Sequence, residues 1–225
     1  MIDSIFRLIR LPDLSGFVKT INRKSNQSKN RINRKMLLPV YAYGQPVLKK
    51  VSVKIEPEYP DLQELIANMW DTMYHADGVG IAAPQVGHGI RLFVIDTEQV
   101  DRKEGKESPT DTPFKQVFIN AQILAETSTP WNYEEGCLSI PDIRGDVERP
   151  EGIRIRWQDE KFEEHEAQFT GINARVIQHE YDHIEGILFT ERLKPLKKRL
   201  IQRRMEAIKG GRVKTDYKMR FYNGR

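Results

Sequence analysis

Apolar residues recur at helical spacing in three stretches of this chain. Leu62, Leu65, Ile66, Met69, Trp70 and Met73 share one stripe at the 3.6-residue period and predict a helix over 61–76. Asp61 and Glu64 stand in capping-box positions at its start. The Met and Trp stripe reads as core, not as a cofactor surface. Over 172–188 the apolar residues lie on more than one side, which predicts a helix buried at the centre of a domain. Residues 195–209 predict a last helix, with proline in its first turn and Gly210-Gly211 at its end. Leu196, Leu200, Ile201, Met205 and Ile208 are expected to face the core. Lys197, Lys198, Arg199, Arg203 and Arg204 decorate the rest, either as a solvated face or as a surface for phosphate-rich RNA.

Period-two alternation marks strands. Ile153, Ile155 and Trp157 alternate with Arg154 and Arg156, the pattern of a half-buried strand over 152–158. Residues 91–96, 116–119 and 162–169 read as further strands, the last reached through a turn at Asp159-Glu160-Lys161. Residues 97–115 are polar, carry two prolines and read as an exposed loop. Short strands in separate runs followed by a helix imply an α+β fold with antiparallel strands.

The chain has 225 residues, enough for one sizeable core and a tail. With 39% apolar and 30% charged residues it reads as globular, and no run approaches the roughly 18 apolar residues of a membrane-spanning helix. There is no internal repeat. The formal charge of +4 is unevenly placed: nine Lys/Arg against two Asp leave +7 on residues 1–35 and −3 on the remainder. The overall basicity therefore belongs to an appendage. Three readings of 1–35 stand: an organelle transit peptide, a short amphipathic surface helix over 1–11, or translated upstream sequence with Met36 as the true start. The last is preferred. Residues 22–35 lack apolar periodicity and are expected to be disordered. The apolar run near the start is too short and interrupted for a secretory signal.

Candidate chemistry begins at Gln178-His179-Glu180-Tyr181-Asp182-His183. Histidines at i and i+4 lie on one face of a helix, where two imidazoles can bind one metal ion and the adjacent carboxylate can serve a water. A solvated helix carrying two histidines is the plain alternative. The long zinc-peptidase pattern fails, because Phe189 stands where its third histidine belongs and only Gly186 matches. Cys137 is the single cysteine, so no internal disulfide is possible. It is either a small buried residue or, in its polar setting Glu134-Glu135-Gly136-Cys137-Leu138-Ser139, a thiolate held by a metal. Two histidines and a thiolate leave a fourth position for water, as in catalytic sites. The stretch Gly78-Val79-Gly80-Ile81-Ala82-Ala83-Pro84-Gln85 superficially fits a dinucleotide fingerprint. A helix precedes it where a strand is needed, and Pro84 would interrupt the following helix, so a tight turn presenting Gln85 fits better. His75, His88 and His165 have no partner spacing and read as structural or surface groups.

Taken in order, Gly78 to Gln85, Glu135 to Ser139 and Gln178 to His183 resemble the three signature motifs of peptide deformylases, within a resemblance running from about residue 37 to 217. The resemblance implies antiparallel sheets around a central metal-binding helix, with a C-terminal helix. It implies that Cys137, His179 and His183 hold one divalent ion, ferrous iron, Fe(II), by expectation, with zinc, nickel or cobalt as substitutes. Glu180 would be general base and then acid. The Gln85 amide and the Leu138 N–H would face the oxyanion. Gly80 and Arg144 would position the substrate backbone. Val79, Tyr133, Ile172 and Val176 would line a methionine pocket, with Glu135 at its edge. The substrate would be N-formylmethionyl nascent peptides. A cytoplasmic monomer is expected, and ribosome contact through the basic last helix is the functional alternative to the preferred solvated face there. Two rivals remain: a general metallopeptidase, disfavoured by Phe189 and Cys137, and an RNA- or ribosome-binding protein, which would need neither Glu180 nor Gln85.

Overall fold

The structure, a computed structural model, describes residues 36–100 and 112–222. The basic segment 1–35 and most of the 97–115 loop lie outside the described residues. From the N-terminal side the elements are β1 (Val40–Tyr41), α1 (Leu62–His75), β2 (Gly80–Ala82), β3 (Leu92–Asp96), β4 (Lys115–Glu126), β5 (Pro130–Cys137), β6 (Ile140–Pro150), β7 (Gly152–Gln158), β8 (Glu164–Thr170), α2 (Gly171–Ile184), the short α3 (Phe189–Arg192), α4 (Pro195–Lys209) and β9 (Met219–Arg220). Short 3₁₀ turns occupy Pro46–Lys49 and Ala83–Val86.

Five antiparallel strands form the main sheet in the order β2-β3-β4-β7-β8. β5 and β6 pair as a separate long hairpin, and β1 pairs with β9 in parallel. The sheet is buried on both faces at its centre. Leu92, Val94, Val117 and Ile119 pack with the α1 stripe, while Phe93, Ile95, Phe118 and Ala121 pack towards α2. This two-sided burial explains why β3 reads as a continuous apolar run. A third cluster joins Ile140, Ile143 and Val147 of the hairpin to Leu188, Phe189, Met205 and Ile208. The α+β expectation holds, with α2 packed between sheet and hairpin.

Several local expectations are corrected. Asp61 does not cap α1: its φ of 53° is left-handed and its side chain makes no cap bond, whereas a capping residue needs extended geometry. β4 runs past residue 119 to Glu126 through an irregularity at Asn120, φ 53°. The Asn120 side chain accepts the Ile55 N–H and donates to the Ile55 carbonyl, which offsets the broken ladder. The motif helix stops at Ile184, short of residue 188. Gly186 takes φ 71°, Ile187 N–H bonds Asp182 O and Gly186 N–H bonds His183 O, a Schellman stop. Leu196 and Leu200 do not face the core; they are 70% and 72% exposed. At ~100° per residue, Ile201, Met205 and Ile208 form the docking stripe and the two leucines fall on the opposite half of the wheel. The setting of Cys137, read as a polar turn, is the end of strand β5.

Candidate active site

The β5–β6 hairpin and α2 bring the three sequence segments together. Along β5, Trp131, Tyr133, Glu135 and Cys137 point to one side while Asn132, Glu134 and Gly136 are exposed, so strand parity carries both Glu135 and Cys137 inward. α2 brings His179 and His183 together at 5.2 Å between ring centres, as the i, i+4 spacing requires. Cys137 Sγ lies 3.3 Å from His183 Nε2. The thiol and one nitrogen of each imidazole all lie within 4.8 Å of one another, close enough for one ion to touch all three. The set fits a transition-metal cation on chemistry as well, since thiolate and imidazole suit such ions. Beside it, Glu180 Oε2 and His183 Nδ1 are buried without a hydrogen-bond partner.

Behind this cluster lies a buried charge network. Glu135 Oε2 is 2.8 Å from His179 Nδ1. Arg149 donates to both Glu135 oxygens at 2.7 and 2.9 Å and to Asp182 at 2.7 Å. Arg175 Nη1 donates to Glu135 at 3.0 Å, and its other arm donates to the Trp131 carbonyl. Arg192 closes on Asp182 with two bonds of 2.6 Å. Burial alone would raise the Glu135 carboxyl, but the bonds from Arg149 and His179 hold it well below the usual carboxylate range. Burial also opposes charge on His179, yet its bonds to Cys137 and Glu135 raise it well above free imidazole. His183 is pushed down by burial, and burial raises Glu180 to about 7. A carboxyl with that affinity for protons can both take and return one near neutral pH.

The glycine segment forms the third side. Gly80, on β2, has no room for a side chain: a Cβ would stand 2.6 Å from Glu180 Oε1. Pro84 starts a 3₁₀ turn that buries Gln85, whose Oε1 accepts the Ala82 N–H at 2.7 Å. Gln85 Nε2 is thereby aimed at Ser139 Oγ, 3.3 Å, and Cys137 Sγ, 3.5 Å. These groups open on a cleft of about 880 Å³, which Val79, Tyr133, Leu138, Arg144, Ile172 and Val176 also line. Glu135 lines it too, with its carboxylate turned inward to the arginines. Arg144 is exposed and weakly paired with Glu134 at 3.9 Å.

Sequence reasoning missed Arg149, Arg175, Asp182, Ser139 and Tyr217. A signal existed for Arg149, which shares the inward parity of Ile143 and Val147 on β6, and an inward arginine demands a carboxylate. His75, read as structural or surface, lines the cleft mouth. Glu185 and Glu191 are engaged elsewhere, with Arg91 at 2.7 Å and with the Leu188 N–H at 2.8 Å.

A cysteine sulfur, two imidazoles and a buried carboxylate gathered beside one cleft on an α+β scaffold define a metal-dependent hydrolase. The polypeptide deformylase family model matches residues 37–199. Peptide deformylase of Christiangramia forsetii is 52% identical over 196 residues, spanning 84% of this chain and 98% of that one. Among solved structures, Arabidopsis thaliana peptide deformylase 1B matches with TM-score 0.68 at 30% identity, over 78% of this chain and 92% of that one. The Legionella pneumophila peptide deformylase matches with TM-score 0.67 at 34% identity, over 79% and 98%. The chain belongs to the polypeptide deformylase family.

Proposed function

We propose that this protein removes the N-formyl group from the initiator methionine of nascent peptides, releasing formate. The observation that carries this reading is the Cys137, His179 and His183 cluster beside buried Glu180 in one cleft. Those three residues would hold a divalent cation, which when bound would supply Lewis acidity toward a water at neutral pH. Glu180 takes the proton of the attacking water and returns it to the leaving amine, a transfer matched by its raised affinity for protons. The Gln85 amide and the Leu138 N–H stabilise the oxyanion that forms at the formyl carbon. Val79, Tyr133, Ile172 and Val176 receive the methionine side chain, and Gly80 and Arg144 hold the peptide backbone. Ferrous iron is the expected ion, with zinc, nickel and cobalt compatible with the same donors. Among the described residues no helix is long and apolar enough to cross a membrane.

The test is formate release from formyl-Met-Ala-Ser by protein purified without oxygen and loaded with ferrous iron. Glu180→Ala should lower kcat by about 10²–10⁴-fold while the ion stays bound. Equal activity of Glu180→Ala and wild type would exclude the role given to Glu180. We expect a chain started at Met36 to match the full chain, since residues 36–225 make one compact unit. The expected setting is the cytoplasm, where formylated chains emerge, with the enzyme expected as a monomer, and the basic side of α4 is the proposed ribosome contact. Charge reversal at Lys198 and Arg203 should weaken ribosome co-sedimentation, most clearly at low salt. Unchanged co-sedimentation would dismiss that contact.

A further inference from the structure

After α4 the chain turns at Gly210-Gly211 and returns to the catalytic unit. From Val213 to Phe221 burial alternates strictly, with Val213, Thr215, Tyr217, Met219 and Phe221 half-buried and the residues between them exposed. β9 locks this tail in place. Val40 N–H bonds Lys218 O at 2.8 Å, Ala42 N–H bonds Arg220 O at 3.0 Å, and Gln45 Nε2 donates to Phe221 O at 2.7 Å. The result is that residues 214–217 line the same cleft as Cys137 and Glu180. This tail lies beyond residue 199, where the match to the family model ends.

Tyr217 makes the contact of interest. Its hydroxyl donates to the Leu138 carbonyl at 2.8 Å, across 79 residues of sequence. Leu138 and Ser139 form the turn between β5 and β6. The next carbonyl, Ser139 O, accepts the Tyr43 N–H at 2.9 Å, and Ser139 Oγ accepts Gln85 Nε2 at 3.3 Å. The turn is thus held at two successive carbonyls and one hydroxyl. The Leu138 N–H and C=O belong to neighbouring peptide planes hinged at one Cα. Clamping the C=O restricts the Leu138 ψ angle, and Cys137 just before it is paired with Ile140 at the end of the β5–β6 ladder.

We infer that Tyr217 is a positioning residue, whose hydroxyl clamps the Leu138–Ser139 peptide and so keeps the Leu138 N–H aimed at the developing oxyanion. This rests on the role given to Leu138 above. A preorganised donor is worth most when it need not move as charge develops. A tyrosine anchored by the β1–β9 pairing that follows it directly provides that rigidity from outside the hairpin. The tail is then part of the catalytic cleft.

The experiment compares wild type with Tyr217→Phe, both full-length and metal-loaded, on formyl-Met-Ala-Ser. Phenylalanine keeps the ring packing and removes only the hydroxyl. The expected result is a kcat lowered about five- to thirtyfold with KM within about twofold. That is less than the ~10²–10³ lost when a donor is removed outright, because the N–H remains and is only less well aimed. Metal stoichiometry and Tm should equal those of wild type. Lys218→Ala, on the exposed side of the same tail, should leave kcat unchanged. A wild-type kcat in Tyr217→Phe would overturn the inference. So would a fall in kcat accompanied by lost metal or lowered Tm, or an equal loss in Lys218→Ala, since either means the tail acts by general stability. If the wild type releases no formate, the reading of the site falls and takes this inference with it. An active wild type with an equally active Tyr217→Phe sinks this inference alone.

Discussion

At the scale of single residues, the site depends on contacts with no tolerance for added atoms. Gly80 illustrates this, since its missing side chain is the space that Glu180 occupies. Gly80→Ala must displace the carboxyl, because a Cβ at 2.6 Å from Oε1 is well inside contact distance. A displacement near 1 Å can cost about 10²-fold in rate. We expect such a loss in kcat with metal content unchanged, read by formate release and metal analysis on the same sample. Retained activity would show that Glu180 has another productive position. The contrast with Gly186 is useful. That glycine is required by its φ of 71° at the helix stop, so it serves the length of α2, not the chemistry.

At the scale of elements, α2 and the β5–β6 hairpin are joined by charge as much as by apolar packing. Glu135 and Arg149 come from the hairpin, Asp182 and Arg175 from α2, and all four side chains are almost fully buried. Buried pairs of this kind contribute little when complete, but removing one member leaves uncompensated charge at a cost of about 3–5 kcal/mol. Arg149→Met keeps most of the volume and leaves Glu135 and Asp182 each short of a partner. Thermal unfolding should show Tm lowered by roughly 6–20 °C, taking about 2–4 °C per kcal/mol for a domain of this size. A shift under about 2 °C would mean Arg175, His179 and Arg192 suffice. The network also explains why a hydrophobic-pattern reading found no strands over 130–150. The inward positions there include Glu135 and Arg149, which an apolar alternation does not register.

At the scale of the whole molecule, the ion is expected to tie hairpin and helix together. Its ligands come from two separate elements, β5 and α2, so binding is coupled to their docking. Chelation should lower Tm by about 5–10 °C, as expected from roughly 2.7 kcal/mol of linkage at a hundredfold excess of ion over Kd. An identical Tm with and without chelator would mean the hairpin and helix dock fully without it. Much of this was written along the chain. The stripe of α1, the alternation of β7, and the i, i+4 histidines with Glu180 between them are local patterns at the period of the backbone. The ordered motifs picked out Cys137, His179 and His183, which the fold brings together, because chemistry constrains residue type at short spacing. Other features depended on packing. Leu196 and Leu200 look like core residues until the docking stripe of α4 is known. Asp61 looks like a cap until its backbone angle is known. Arg149, Arg175 and Asp182 meet Glu135 and the ligands only across long separations. Tyr217 reaches Leu138 across 79 residues. The sequence by itself determined the main helices, the alternating strand β7 and the candidate reacting groups, since these follow from short-range periodicity and side-chain chemistry. Only the tertiary structure decided what supports those groups, because a buried charge or a clamped carbonyl is defined by its distant partner.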